Sequence, residues 1–261
     1  MKHVVTTAVA VFFVPIILVS GTITREYQKT FDFSGDNVEV KTTNGKIFVE
    51  SWRKRAVDVY AEIEVRAGSK EAAREFMDQV EIIVRDRGDQ ISIKVDQPQN
   101  TGGGFLDWIF GDGKPNVTVD FWIKVPEAMD IVANSVNGSI EVVDISGKAT
   151  LHTTNGKIVA EDIVGPVEAT TTNGSIFVEI ETDELEDNVI LKTVNGSIKL
   201  SVDSDVEADV DISTVNGSIS TDFPLQVEGK WGPKSVRGEI NGGGALIELE
   251  TVNGSVSIRE N

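Results

Sequence analysis

The sequence predicts an all-β protein built from stacked repeat coils, with a single short helix in its N-terminal part. One observation is a hexapeptide, Ser/Thr-x-Asn-Gly-Ser/Lys-Ile/Val, that occurs seven times in 261 residues and so indicates a repeat architecture. A second is the alternation of apolar and polar residues on both sides of each copy, which is typical of strands with one buried face. A third is the regular nine-residue spacing of five glycines. The seven copies lie at residues 42–47, 135–140, 153–158, 171–176, 193–198, 214–219 and 251–256.

The repeat unit contains two strands and two corners. Gly138, Gly156 and Gly174 belong to Asn-Gly corners, whereas Gly147 and Gly165 belong to the corners between them. Later units lengthen at the second corner, so that successive Asn-Gly pairs lie farther apart in the sequence. We therefore expect a repeat architecture with coils of about 18–22 residues. The predicted corner residues are Asn44, Asn137, Asn155, Asn173, Asn195, Asn216 and Asn253.

Two architectures are compatible with these corners. An Asn-Gly pair between alternating strands often forms a β-hairpin, because both residues tolerate positive φ, and this would give a meander or barrel. Identical Thr, Asn and Gly columns in register favour stacked coils, a β-solenoid, in which each coil covers the apolar face of its neighbour. The asparagine side chains would then form hydrogen-bonded ladders.

The segment 1–21 has the layout of a secretory signal. A short, weakly basic start precedes an apolar run over residues 4–19, and small residues precede Thr22. The run is short for a membrane-spanning helix, which needs roughly 20 residues. We expect a cleaved signal peptide, with an uncleaved N-terminal anchor as the alternative, and in both cases the repeats would lie outside the cytoplasm.

Residues 22–130 form a β-rich segment that includes the one helix. Ser69 is a good N-cap, and apolar residues at helical spacing predict a helix over 69–80. Residues 101–114 interrupt the strands with glycines that flank a cluster of large apolar residues. This insertion would either cover an open end of the sheet or form an exposed apolar patch that binds a partner or a membrane interface. The candidate partner-binding residues are Phe105, Leu106, Trp108, Ile109 and Phe110.

Residues 131–261 form the repeat domain. The segment 222–244 contains two prolines and a run of glycines that interrupt the repeats. It is predicted to be a long loop before the last coil, which would then serve as a cap.

Charge and composition narrow the functional classes. The net charge of -18 argues against nucleic acid, which requires a basic surface, and against anionic lipid. The chain has no cysteine and only two histidines, so a hydrolytic triad would depend on His152, which is predicted on an outward strand face. Five acids that alternate over residues 203–211 are expected on one side of one strand, where they could attract calcium, but no calcium-loop motif accompanies them. We predict no catalytic residue, cofactor or metal site.

The chain resembles the bacterial putative-adhesin family, a domain of unknown function. The serial Thr-x-Asn-Gly-Ser/Lys-Ile corners, the strand at 117–125 ending in Val-Pro, and the closing segment 238–256 carry the resemblance. It is strong over about residues 115–261 and looser over 30–100. The resemblance implies a right-handed β-solenoid, an envelope or surface location and no known enzymatic role.

Three functional hypotheses follow. The first is a non-catalytic, exported structural or binding module that contacts a cell-envelope protein or surface polymer. The second is an accessory of an envelope-stress or signalling system that acts through a membrane partner. The third is a carbohydrate-active enzyme, which would need two carboxylates about 5–10 Å apart in a groove. We expect a periplasmic or cell-surface location, and membrane contact only through an uncleaved N-terminal segment.

Overall fold

A computed structural model describes residues 21–98, 115–182, 185, 187–227 and 234–261. The described chain is all-β apart from one short helix, α1 (Lys70–Met77), and its strands form two large sheets. Sheet A has the order β1 (Thr22–Asp32), β4 (Ala56–Arg66), β7 (Asn116–Pro126), β3 (Ile47–Trp52), β9 (Ile140–Ile145), β11 (Ile158–Ile163), β13 (Ile176–Ile180), β15 (Ile198–Val202), β21 (Val256–Glu260), β17 (Ile219–Thr221). Sheet B has the order β18 (Gln226–Val227), β19 (Ser235–Ile240), β16 (Ala208–Asn216), β20 (Ala245–Asn253), β14 (Val189–Asn195), β12 (Val167–Asn173), β10 (Ala149–Asn155), β8 (Asp130–Asn137), β2 (Asn37–Lys41), β6 (Gln90–Asp96), β5 (Glu81–Asp86).

Each Asn-Gly corner carries the chain from sheet B to sheet A. The strand before the corner pairs in parallel with the equivalent strand of the neighbouring repeat, as β10 does with both β8 and β12. The strand after the corner does the same in sheet A, where β11 lies between β9 and β13. The corners are therefore not hairpins, because the two strands that each joins lie in different sheets. Stacking, rather than a meander, describes these repeats.

The core lies between the two sheets and follows the predicted alternation. Every second residue of a repeat strand is buried, as in β10, where Ala149 and Leu151 are fully inaccessible to solvent. These side chains belong to one hydrophobic cluster that runs from the first strands to the last coil. Burial of apolar surface at about 25 cal/mol per Å² is thus the main stabilising contribution of each coil.

The N-terminal strands extend sheet A in antiparallel fashion. β4 pairs with β1 on one side and with β7 on the other, while β7 pairs in parallel with β3 and so joins the repeat strands. The helix begins after Ser69, whose side chain accepts a hydrogen bond from the backbone N–H of Ala72 at 3.1 Å. It ends at Met77, short of the predicted end at Val80, because Val80 already bonds back to Met77 in a turn.

The last coil does not cap the stack, and this prediction was wrong. β20 pairs in parallel with β14 on one side and with β16 on the other, and β21 lies likewise between β15 and β17. The coil formed last in the sequence is therefore inserted between the two coils that precede it. Part of the predicted loop is also strand, since β19 pairs antiparallel with β16 and, together with β18, forms that end of sheet B.

Two sets of predicted features lie outside the described residues. These are the apolar N-terminal run at 4–19 and the five candidate partner-binding residues at 105–110. The described residues contain no helix with the length and hydropathy that a membrane crossing requires.

Candidate functional site

The seven corner asparagines form one continuous side-chain ladder. The Nδ2 amide of Asn155 donates to Oδ1 of Asn137, and Asn173 donates to Asn155, each at 2.8 Å. The insertion of the last coil continues the ladder, because Asn253 donates to Asn195 and Asn216 donates to Asn253. The ladder therefore follows the order of coils in space and not the order of repeats in the sequence.

A second ladder lies directly behind the asparagines. The threonine or serine that opens each corner is buried. At six corners its hydroxyl donates to a glycine carbonyl of the adjacent coil, as Thr171 does to Gly156 at 3.1 Å, whereas Thr42 donates to the carbonyl of Asn44 in its own corner. Thr193 donates to Gly174 in the same way at 2.9 Å. Both ladders satisfy polar groups within the stack, so we assign these columns a structural role.

Three outward-facing aromatic side chains of sheet A form a row across three adjacent strands. Phe48 of β3, Trp122 of β7 and Tyr60 of β4 each lie between two buried neighbours in their strand, so the pleat directs them to the outer face. Trp122 is the cross-strand partner of both Phe48 and Tyr60. We call these three residues the aromatic row.

The aromatic row is open to solvent at its centre. Trp122 is 40% exposed, whereas Tyr60 and Phe48 are half-buried. The rings of Tyr60 and Trp122 contact each other with centroids 5.4 Å apart and planes tilted by 51°, a geometry that aromatic pairs favour. The ring contact holds Trp122 at a fixed angle on the sheet.

Charged side chains border the aromatic row on both sides. One border is formed by Asp58, Lys124 and Glu50, in which the Lys124 Nζ lies 2.7 Å from a Glu50 carboxylate oxygen. Glu62 and Asp120, a cross-strand pair, form the other border. The result is an apolar strip, flanked by hydrogen-bonding groups, on a rigid sheet.

Tyr60 and Lys124 of this surface each keep one protonation state near neutral pH. Partial burial, with the charges of Glu26 and Glu62, raises the pKa of the Tyr60 phenol above its ordinary value. The hydrogen bond to Glu50 raises the pKa of Lys124. Tyr60 is therefore neutral and Lys124 positively charged throughout the physiological range.

The acids at 203–211 do not share one strand face, contrary to the prediction. β16 begins only at Ala208, so Asp203 and Asp205 lie in the preceding turn, where Asp203 accepts from the Asp205 backbone N–H. Asp211 pairs with Arg237 of β19 at 2.8 Å. Within the described ranges, no three His, Cys, Asp or Glu side chains are placed to hold a metal ion.

Reasoning from the sequence did not identify the aromatic row. Alternation of buried and exposed residues was sufficient to place Phe48, Tyr60 and Trp122 on outer faces. Their adjacency depends on β4 pairing antiparallel and β3 parallel with the same strand, β7, and the sequence contains no signal for that pairing.

Comparison with known proteins identifies both the repeat region and the fold. The family model described as Toastrack DUF4097 matches residues 116–259. A crystal structure from Clostridium sporogenes, described as a putative cell adhesion protein, is similar with a TM-score of 0.50 and 11% identity. That similarity covers 92% of this chain and all of the other. A putative adhesin from Bacteroides fragilis matches with a TM-score of 0.32 and 13% identity, over 92% of this chain and 97% of the other. The comparison with curated proteins returns no match.

Proposed function

The chain belongs to the Toastrack DUF4097 family, and on this basis we propose that it is an exported, non-catalytic binding module. Its ligand would be a neutral polysaccharide of the cell envelope or surface, and its binding site the aromatic row. The observation that carries this proposal is the exposure of Trp122, which is 40% open to solvent at the centre of the aromatic row and in ring contact with Tyr60.

The chemistry of the aromatic row suits a sugar chain. A pyranose ring presents apolar C–H groups on its faces and hydroxyl groups around its rim. Aromatic faces can cover the former, while the bordering carboxylates and Lys124 can hydrogen-bond the latter. Neighbouring strands are about 4.8 Å apart, close to the length of one sugar residue in an extended β-linked chain. The aromatic row therefore matches consecutive residues of such a chain.

The negative charge of the protein favours a neutral polysaccharide over an anionic one. The protein carries a net charge of -18, and carboxylates border the aromatic row on both sides. An anionic polymer would be repelled, at short range by these carboxylates and at longer range by the whole molecule. A neutral polymer meets no such repulsion and can donate its hydroxyl protons to the carboxylates.

The remaining parts of the proposal concern architecture and location. We propose that the stacked coils form a right-handed β-solenoid. Sheet A continues from these coils into β7 and β4 and so presents the aromatic row on a preorganised surface, which reduces the entropy lost on binding. We also propose that residues 4–19 direct export, so that sheet A faces the periplasm or the cell exterior.

Affinity electrophoresis tests the binding proposal. The chain from Thr22 onwards would be run in native gels that contain hydroxyethylcellulose, laminarin or dextran, with polygalacturonate as the anionic polymer. We expect retardation by at least one neutral polymer and none by polygalacturonate. Because Tyr60 and Lys124 keep their protonation states, retardation should be the same from about pH 6 to pH 9.

The decisive variant is Trp122→Ala. Truncation of a central aromatic anchor typically costs roughly 2 kcal/mol, so the dissociation constant should rise about thirtyfold. The matched control is Phe177→Ala, which removes an outward aromatic of β13 whose ring already lies under Lys199. Failure of every neutral polymer to retard the native chain would refute the proposal. Equal losses in the two variants would show that the aromatic row is not the site.

A further inference from the structure

We propose that Asn216–Gly217 is a site of spontaneous deamidation and that the other six Asn-Gly corners are protected from it by the fold. In this reaction the backbone nitrogen of the glycine attacks the side-chain carbonyl carbon of the asparagine. A new N–C bond closes a five-membered succinimide, and the side-chain amide leaves as ammonia. Water then opens the ring to give aspartate or isoaspartate.

All seven corners carry the most reactive sequence for this chemistry, because glycine places no side chain beside the attacking nitrogen. Any difference between them must therefore come from the structure. The reaction requires a glycine N–H that is free to lose its proton and an asparagine amide that is free to turn towards it.

Six corners meet neither requirement. Their glycine N–H groups donate to the asparagine carbonyl of the next coil, at 2.9–3.2 Å; the donors are Gly45, Gly138, Gly156, Gly174, Gly196 and Gly254. Each of the six asparagines also accepts, at its side-chain oxygen, the amide of the neighbouring asparagine. These hydrogen bonds keep the glycine nitrogen away from the side-chain carbonyl carbon that it would have to attack.

The corner at Asn216 ends the ladder, so among the described residues no further coil accepts its glycine N–H, and its asparagine side chain is restrained by one hydrogen bond instead of two. Its amide donates to Asn253 at 2.8 Å, but within the described chain its side-chain oxygen has no donor and the N–H of Gly217 has no acceptor. Gly217 is also exposed, whereas the glycines of the other six corners are half-buried or buried. Water can therefore reach the nitrogen that must lose its proton.

The insertion of the last coil determines which corner is reactive. In a stack that followed the order of the sequence, the final corner would be Asn253–Gly254, and that pair would be open to reaction. In this structure Asn253 lies inside the stack, between Asn195 and Asn216. The location of the modified residue therefore reports on the topology as well as on the protection of the other corners.

Peptide mapping by mass spectrometry tests the proposal. The folded chain would be aged in mildly alkaline buffer, digested, and analysed with a fragmentation method that distinguishes aspartate from isoaspartate. We expect Asn216 to convert at least about tenfold faster than any other corner, which corresponds to about 1.4 kcal/mol in the barrier. In urea, where the hydrogen bonds are lost, all seven corners should react at similar rates.

Isoelectric focusing and one variant provide two further tests. Each conversion adds one negative charge, so isoelectric focusing of the aged protein should show one dominant acidic species. That species should be absent from the Asn216→Gln variant, because glutamine would have to form a less favourable six-membered ring. Equal rates at all seven corners of the folded chain, or fastest conversion at Asn253, would overturn the proposal, and the native chain alone is sufficient to decide this.

Discussion

At six of the seven corners the glycine is required by contact with the coil beside it and not by its own backbone conformation; Gly45, with a φ of 125°, is the exception. At Gly174 the φ angle lies outside the left-handed range, yet an added Cβ would lie 1.9 Å from the carbonyl oxygen of Gly156. A Cβ added at Gly196 would likewise lie 1.9 Å from the carbonyl oxygen of Gly174. The corners can therefore stack at the spacing of parallel strands only if no side chain lies between them.

Replacing Gly174 with alanine should destabilise the stack strongly. The atom that the new Cβ meets belongs to the backbone and cannot turn away, so we expect a loss of about 3 kcal/mol or more. Urea unfolding followed by circular dichroism would measure the effect. The matched control is Gly68→Ala, because Gly68 has open space around its Cβ position and no positive φ. If Gly174→Ala unfolded at a urea concentration as high as the control does, the coils would be able to move apart.

At the scale of single residues the sequence predicted burial well and adjacency poorly. Alternation placed Leu151 and Thr171 inside, and the repeated columns indicated the asparagine ladder. The same alternation could place Trp122 outside but could not identify Tyr60 as its neighbour. Burial depends on local periodicity, whereas the aromatic row depends on pairing between strands that are distant in sequence.

At the scale of whole elements, the inserted last coil is the main departure from the sequence-based prediction. The strands β20 and β21 carry the same corner motif as their neighbours, and the motif is equally able to stack on any of them. Sequence identity between repeats therefore could not distinguish an end position from an internal one. The antiparallel pairing of β19 with β16 occupies one face of the sixth coil, and the last coil packs on the other.

Engineered disulfides should establish the order of the coils. Lys192 and Glu250 are cross-strand partners on the outer face of sheet B, and Ser213 is the partner of Glu250 on the far side. Parallel neighbours lie about 4.8 Å apart, within the range that a disulfide spans, whereas residues two strands apart exceed the limit of about 7 Å. The native chain has no cysteine, so each introduced pair can be examined alone.

The double variant Lys192→Cys/Glu250→Cys should oxidise readily, and Lys192→Cys/Ser213→Cys should remain reduced. Non-reducing electrophoresis after mild oxidation, with thiol titration, distinguishes the two. The second pair is a matched control because it shares one cysteine and the same sheet face. If the second double variant formed its disulfide and the first did not, the coils would follow the order of the sequence. Both the topology and the predicted deamidation site would then be wrong.

For the molecule as a whole, the dominant electrostatic feature is an excess of negative charge on two large sheets. Lysines and arginines number 24 against 42 aspartates and glutamates. Some acids are paired, as Glu248 is with Lys192 at 2.7 Å, but exposed pairs of this kind contribute little to stability. Repulsion among the remaining acids favours the unfolded chain, in which charges lie farther apart.

Screening that repulsion should stabilise the protein. Raising the sodium chloride concentration from about 0.01 M to 0.15 M shortens the Debye length from about 30 Å to about 8 Å, so the thermal midpoint at pH 7 should rise by a few degrees. Potassium chloride and choline chloride serve as controls, because screening depends on ionic strength and not on the cation. Equal increases in all three salts would support repulsion as the cause. A midpoint that fell with salt would mean that ion pairs such as Lys192–Glu248 outweigh the net charge, and an increase specific to one cation would indicate binding instead of screening.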